Sequence, residues 1–299
     1  MSAQSGRNGP PEGKEIKVSQ KMKRVLSVQD ISCVGKCSLT VALPVLSAAG
    51  LEAAILPTAV LSTHTAFQGF TFRDLTDDIE PIVRHWKEQK IVFDGIYTGY
   101  LGTFRQIELV EGILADFHRP GMLRFVDPAM ADNGKLYPGF DPAFARRMGK
   151  LCGKADLIVP NLTEAAFMLG EEFVGRDYDE KYIRELLKRL CGLGTPTAML
   201  TGVSLEKGRC GAAAYDSTTD TYLTYFSEEI PASFHGTGDV FASAIFAALM
   251  HGQPLDKAMR TAVEYTVESI RLTVAHADHN WYGVDFESAV PKLLALLAE

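Results

Sequence analysis

Short apolar runs alternate with amphipathic stretches along most of this chain. The first run ends Lys23-Arg24-Val25-Leu26-Ser27-Val28, and similar ones recur at 53–56, 123–126, 157–159 and 198–201. Between them lie a helical stretch from about Lys36 to Ala49 and segments with helical spacing at Leu75 to Gln89, Phe104 to Phe117 and Tyr178 to Leu190. Apolar runs without a polar face suit strands buried on both sides, and amphipathic helices between them supply the cover. The pattern predicts a mostly parallel central sheet with helices on both faces. Two later runs, Ala212 to Tyr215 and Tyr222 to Phe226, flank the polar bend 216–220 and predict a small antiparallel hairpin at the sheet edge. Three helical stretches without intervening strands close the chain: Val240 to Met250, Leu255 to about Val274, and Phe286 to Leu297.

No internal repeat or long linker interrupts this plan, so residues 23–299 are expected to form one domain. Residues 1–22 are polar and rich in Pro and Gly, a composition that cannot bury enough surface to order itself, and read as a flexible tail. At 299 residues and 46% hydrophobic, the chain can bury a large core. A formal charge of −7 leaves no basic stripe for a nucleic acid. Five scattered cysteines suggest neither a disulfide framework nor a zinc site, which fits a reducing cytoplasm. The run from Val240 to Met250 is too short to span a bilayer, and no signal-peptide core is visible, so no membrane partner is expected.

In an open parallel sheet, ligands bind beyond the carboxyl ends of the strands. Asp30 follows the first run; Ser62-Thr63-His64-Thr65 lies beyond the second; Ile96-Tyr97 leads to Thr98-Gly99-Tyr100-Leu101-Gly102-Thr103; Asp127 follows Val126; and Pro160-Asn161-Leu162-Thr163-Glu164 follows Val159. Each has a plain explanation as well as a functional one. Asn161 and Glu164 have the spacing of an N-cap and its capping-box partner, or can orient water and magnesium near phosphates. His64 can be a hydrogen-bonded structural residue, Tyr100 can simply pack, and Asp127 before Pro128 can end a strand or meet a magnesium–nucleotide complex.

The densest chemistry is His235-Gly236-Thr237-Gly238-Asp239, which runs directly into the apolar helix from Val240. Free N–H groups of such a turn, with the helix dipole behind them, make a phosphate cradle. Asp239 beside it can accept a hydroxyl proton and is expected to stay ionised in that positive field. Phosphoryl transfer to an alcohol needs positioning, charge stabilisation and such a carboxylate. Thr237 or Asp239 can alternatively serve only as a cap. A P-loop is absent, and Phe241 stands where a dinucleotide fingerprint has its third glycine.

Taken together, Arg24 to Gln29, Ser62-Thr63-His64-Thr65, Gly99-Tyr100-Leu101-Gly102, Asp127 to Asp132, Ala155 to Glu164 and Gly236-Thr237-Gly238-Asp239 resemble, in order, the pyridoxal kinase group of the ribokinase-like superfamily. The resemblance implies a ribokinase-like three-layer α/β sandwich, use of ATP and Mg2+, often a monovalent cation such as K+, commonly a homodimer, and phosphorylation of the 5-hydroxymethyl group of a B6 vitamer. By the same resemblance Asp239 is the base and Gly236, Thr237 and Gly238 the anion hole. Asp127, Asn161 and Glu164 correspond to residues around the phosphates and metal, with Asp127 and Glu164 toward magnesium. Thr201 corresponds to a phosphate or ribose contact, and Asp132 with Tyr137 to the loop over ATP. Thr65 and Tyr100 correspond to ring contacts, with His64 in the same segment.

Asp30 stands where relatives usually carry serine, and a carboxylate there can pair with a protonated ring nitrogen or an amine. Val159 and Gly202 also depart from the group by lacking polar side chains. The hydroxymethylpyrimidine kinases of thiamin biosynthesis are the nearest alternative; the residue after the last glycine is often cysteine there and is Asp239 here. A vitamer-binding regulatory protein with little turnover is the alternative from another class.

Overall fold

The computed structural model describes residues 22–299, so the expected N-terminal tail lies, apart from Met22, outside the described residues. In chain order the strands are β1 (Arg24–Val34), β2 (Glu52–Thr63), β3 (Phe72–Asp74), β4 (Gly95–Thr98), β5 (Leu123–Val126), β6 (Ala131–Asp132), β7 (Lys135–Leu136), β8 (Leu157–Ile158), β9 (Thr197–Val203), β10 (Arg209–Asp216) and β11 (Thr221–Glu228). The helices are α1 (Leu39–Ala48), α2 (Thr76–Glu88), α3 (Phe104–Asp116), α4 (Pro142–Cys152), α5 (Leu162–Leu169), α6 (Glu180–Cys191), α7 (Thr237–Met250), α8 (Leu255–Ala275) and α9 (Phe286–Leu297). One nine-stranded sheet has the order β11-β10-β9-β8-β5-β4-β1-β2-β3. Its centre is parallel, and β10, β11 and β3 make antiparallel edges.

Alternation along the buried strands divides the core in two. Val25, Tyr97, Phe125, Leu157 and Met199 face α1, α7, α8 and α9. Leu26, Ile96, Val126, Ile158 and Leu200 face the layer of α3, α4, α5 and α6, with Ile79 of α2 joining them. The expected three-layer sandwich and edge hairpin are therefore both present. Among the described residues, no helix is long and apolar enough to cross a membrane, and all five cysteines are free thiols.

Three features depart from the expectation. Helix α4 starts on Asp141, whose side chain accepts from Phe144 N–H, with Pro142 in the first turn; that cap-and-proline signal is visible in the sequence but lies outside the predicted segments. Strand β3 adds an edge. The first run continues to Val34, so Asp30 lies within β1 rather than after it. Pairing of β1 with β4 nonetheless ends at Val28 and Thr98. Its pairing with β2 slips between Gln29 and Ile31, opposite Pro57, which has no N–H for the ladder. Asp30 thus projects from the part of β1 that overhangs the carboxyl end of β4.

Candidate active site

Helix α7 begins on Gly236, whose φ of +81° is left-handed and whose position receives no side-chain cap. Neither Thr237 nor Asp239 therefore occupies the N-cap position. The Thr237 hydroxyl instead donates back to the Phe234 carbonyl, 3.3 Å away. The first intrahelical bond is Val240 N–H to Gly236 C=O at 3.0 Å, so the preceding turn keeps amides for an anion. Asp239 is half-buried in this first turn. Burial pushes its carboxyl up to about 7; the Ser38 backbone amide opposes this, and the negative charge of Asp30 adds to it. The expectation that Asp239 stays ionised is thereby corrected: desolvation and a neighbouring acid outweigh the helix field, leaving the group divided between its two forms near neutral pH.

At the ends of β5 and β8, Asp127 and Glu164 are buried. Desolvation, then repulsion by Glu164 and by Asp239, raises the Asp127 carboxyl, while desolvation raises Glu164 against its backbone hydrogen bonds. Among the described residues neither carboxylate forms an ion pair, so a hard cation matches this pair of oxygen donors. Glu164 is partly committed: its oxygens accept from Met130 N–H at 3.0 Å and Asn161 N–H at 2.9 Å. Asn161 Oδ1 accepts in return from Glu164 N–H at 2.9 Å, which completes the capping box. Asp127 is left as the carboxylate freer to meet a metal. Among the described residues, no cluster of three His, Cys, Asp or Glu side chains could hold a metal ion by itself. Thr201 forms a parallel bridge with Asn161 and is half-buried beside it.

The β6–β7 hairpin turns through Asn133 and Gly134, both at positive φ. It docks on the start of α5 through Gly134 N–H to Thr163 Oγ1 at 3.0 Å. Asp132 is exposed, and its two carboxylate oxygens accept from the Asn133 backbone and side-chain N–H groups at 2.8 and 3.0 Å. Asp132 builds the turn, and each of its oxygens, accepting a single bond, keeps acceptor capacity toward solvent. Tyr137 is half-buried near the acids; desolvation, then Glu164 and Asp132, holds its phenol protonated.

On the other side of Asp239, Asp30 is buried and accepts from Ser32 Oγ at 3.2 Å. Desolvation raises its carboxyl, with Ser38, Ser32 and then His64 opposing. The Tyr100 phenol is pushed up to about 12 by burial, then by the charges of Asp30 and Asp74. Its ring lies 5.6 Å from Phe140, and Phe140 stacks on Phe144 at 4.1 Å, so Tyr100 forms part of an aromatic wall. Thr65 is exposed. His64 is buried, with Nδ1 accepting from Ala66 N–H at 3.2 Å and Nε2 facing the Tyr282 carbonyl at 3.0 Å. A neutral ring protonated on Nε2 satisfies both, which corrects the expected ligand contact: His64 holds two loops together and offers no free nitrogen.

The loop 35–38 escaped the sequence reading. A Cβ on Gly236 would lie 1.7 Å from the Lys36 carbonyl oxygen, and one on Gly35 would lie 2.7 Å from His64 Cδ2. Gly283 approaches the Lys36 side chain as closely, its Cβ at 2.4 Å. His235 stacks on His64 at 4.4 Å, with Phe67 5.0 Å away on its other contacts. Glycines at 35, 236 and 283 were the available signal, but their shared role appears only when three distant loops meet.

A family model for phosphomethylpyrimidine kinase matches residues 49–283. The chain belongs to that family. It is similar to a candidate phosphomethylpyrimidine kinase of Bacteroides thetaiotaomicron, 38% identical over 93% of this chain and 96% of that one, with a TM-score of 0.88; a second crystal form of that protein contains pyridoxal. Pyridoxal kinase from Lactobacillus plantarum is 30% identical, covering 92% of this chain and 97% of its own, with a TM-score of 0.84. The thiamine biosynthesis bifunctional protein ThiED of Geobacter sulfurreducens is 31% identical over 183 residues, 61% of this chain but 36% of that longer protein. These relationships place the chain in the pyridoxal kinase and ribokinase-like group and make it a kinase.

Proposed function

We propose that this kinase transfers the terminal phosphoryl group of ATP to the 5-hydroxymethyl group of a B6-type pyridine, acting as one domain over residues 23–299. The observation that carries the reading is Asp239, half-buried with its carboxyl near 7 in the first turn of a helix whose start has no side-chain cap. A base with that affinity accepts a proton from an alcohol as phosphorus is attacked, and the amides of Gly236 to Gly238 draw charge from the phosphoryl oxygens. Asp127, backed by Glu164, would hold magnesium, which when bound neutralises phosphate charge. Asn161, Thr201 and Tyr137 line the nucleotide side, while Tyr100, Thr65 and Asp30 line the acceptor side. A cytoplasmic homodimer belongs to the same proposal.

Asp30 sets the acceptor's chemistry. A buried carboxylate without a Lys or Arg partner favours a ligand bearing an amine or a protonated ring nitrogen. Replacing it in Asp30→Ser is expected to lower the ratio of kcat/KM for pyridoxamine over pyridoxine by about 10-fold or more, the scale of one charged hydrogen bond. Steady-state kinetics on both vitamers reads this ratio, and an unchanged value removes the assignment.

The same carboxylate also suits an aminopyrimidine, and the matching family model is described by a pyrimidine kinase activity. Hydroxymethylpyrimidine is therefore the second reading. ADP release with ATP and magnesium, offering pyridoxal, pyridoxine, pyridoxamine and hydroxymethylpyrimidine separately, distinguishes the two. Turnover on the pyridines is expected; turnover on the pyrimidine alone transfers the chain to the second reading.

A further inference from the structure

Beneath the first turn of α7 lies a polar cluster that the reaction, as derived above, does not use. Gln29, Tyr97 and Ser243 are completely buried, and Gln29 Oε1, Tyr97 OH and Ser243 Oγ have no hydrogen-bond partner. Leaving a buried polar atom without a partner is costly, so three in one place call for a role.

The fold brings them together. Alternation on β1 puts Val25, Ser27 and Gln29 on the α7 face, and Ser27 is the register partner of Tyr97 on β4. The Tyr97 ring sits 5.2 Å from Phe125 and 5.5 Å from Phe246 of α7. Ser243 lies one helical turn below Asp239. Its hydroxyl does not bond back along the helix, so it is free to face the sheet. The Tyr97 hydroxyl is close enough to Ser243 and Gln29 for both to act on its ionisation, without a well-directed bond to either.

Gln29 is held from two sides. Its Nε2 donates to Ser27 Oγ at 3.0 Å, and its amide packs against Gly99, where a Cβ would come within 2.7 Å of Oε1. That clamp fixes the amide and leaves Oε1 as an unpaired acceptor. A single chain satisfies every group: Ser243 O–H donates to the Tyr97 oxygen, and Tyr97 O–H donates to Gln29 Oε1, directly or through one buried water.

We infer that Gln29, Tyr97 and Ser243 are positioning residues that lock the first turns of α7, and with them Asp239, to the carboxyl ends of β1 and β4. The remaining underside of α7, including Val240, Ala244 and Phe246, packs through apolar contacts that have no preferred direction. In the inferred chain, a directional bond one turn from the base holds the axial position that apolar packing leaves loose. Displacement of about 1 Å at a reacting group can cost on the order of 100-fold in rate, so the cluster acts on kcat without touching either substrate.

The inference rests on the proposed kinase reaction and is tested with the full chain and a double-mutant cycle. Tyr97→Phe and Ser243→Ala each remove one oxygen while leaving the ring or helix in place. Each is expected to lower kcat about 10-fold or more, with KM for ATP and for the acceptor within about 2-fold of wild type, and the double variant is expected to lose no more than the worse single one. An unchanged kcat with a lowered Tm, or losses that multiply in the double variant, overturns the inference while the kinase reading stands. A wild-type protein without turnover on any of the four acceptors overturns both.

Discussion

Asp239→Asn is expected to lower kcat by about 10²- to 10⁴-fold while the chain still folds and binds nucleotide, because asparagine keeps the size of the side chain but accepts no proton. Phosphoryl transfer assays with ATP binding measured alongside separate this from a damaged site. The wild-type kcat/KM should fall below about pH 7, where the Asp239 carboxyl is protonated in the free protein. Stability runs the opposite way. A carboxyl raised from the ordinary range to about 7 binds its proton more tightly in the folded chain, so its contribution is fully present at low pH. That contribution is lost as pH rises from the unfolded value through about 7. Without ligands, Asp239→Asn should match wild type in unfolding free energy near pH 4 and exceed it at pH 8 by on the order of 1–2 kcal/mol, once solvent screening of a half-buried group is allowed for. Retained turnover in the variant would remove Asp239 from the chemistry.

Gly236→Ala is the second large effect. The added Cβ would stand 1.7 Å from the Lys36 carbonyl oxygen and 3.4 Å from Cys37 Cα, on a residue already at φ +81°. Both obstacles are backbone, so relief requires the loop 35–38 or the start of α7 to move. A loss of roughly 2–4 kcal/mol in stability and about 100-fold in kcat is expected, because the moving parts carry the amides proposed to bind the phosphoryl group and the Ser38 amide beside Asp239. Gly238→Ala is the control: its Cβ meets nothing within 4 Å, and the variant should unfold at the wild-type denaturant concentration. Equal stability of the two variants would show that the close approach at Gly236 is not binding on the fold.

Much of the architecture was legible because a strand buried on both faces has to be apolar throughout. Phe125-Val126 and Leu157-Ile158, all buried, could hardly occupy anything else, whereas Arg124 at the start of β5 pairs with Asp156. The capping box at Asn161 and Glu164 was legible from spacing, since its partners lie three residues apart on one turn. Strand β3, with its exposed Phe72, carries too few residues for a periodic signal. The overhang of β1 was hidden for a different reason: where a strand ends depends on how long its neighbours keep pairing with it, and Asp30 has β2 on one side and nothing of β4 beyond Val28.

The site divides along the same line. Motifs carried Gly236, Thr237, Gly238 and Asp239 into one turn, strand-end logic put Asp127, Asn161 and Tyr100 at the same edge of the sheet, and the family resemblance added Thr201. Identity at those positions is local information, written in neighbouring residues. Protonation and commitment are not. Asp239 is lifted to about 7 by burial and by Asp30, a residue on another strand. His64 loses both nitrogens to the backbone of Ala66 and Tyr282, and Gln29, Tyr97 and Ser243 meet from three separate elements. The sequence by itself determined the layer order, the helix that opens on a glycine turn and the residue types at the sheet's active edge, because apolar periodicity and short motifs act within a few residues. Only the tertiary structure decided which of those side chains remain free and how strongly each holds a proton, because desolvation and charge act between groups that the chain brings together from far apart.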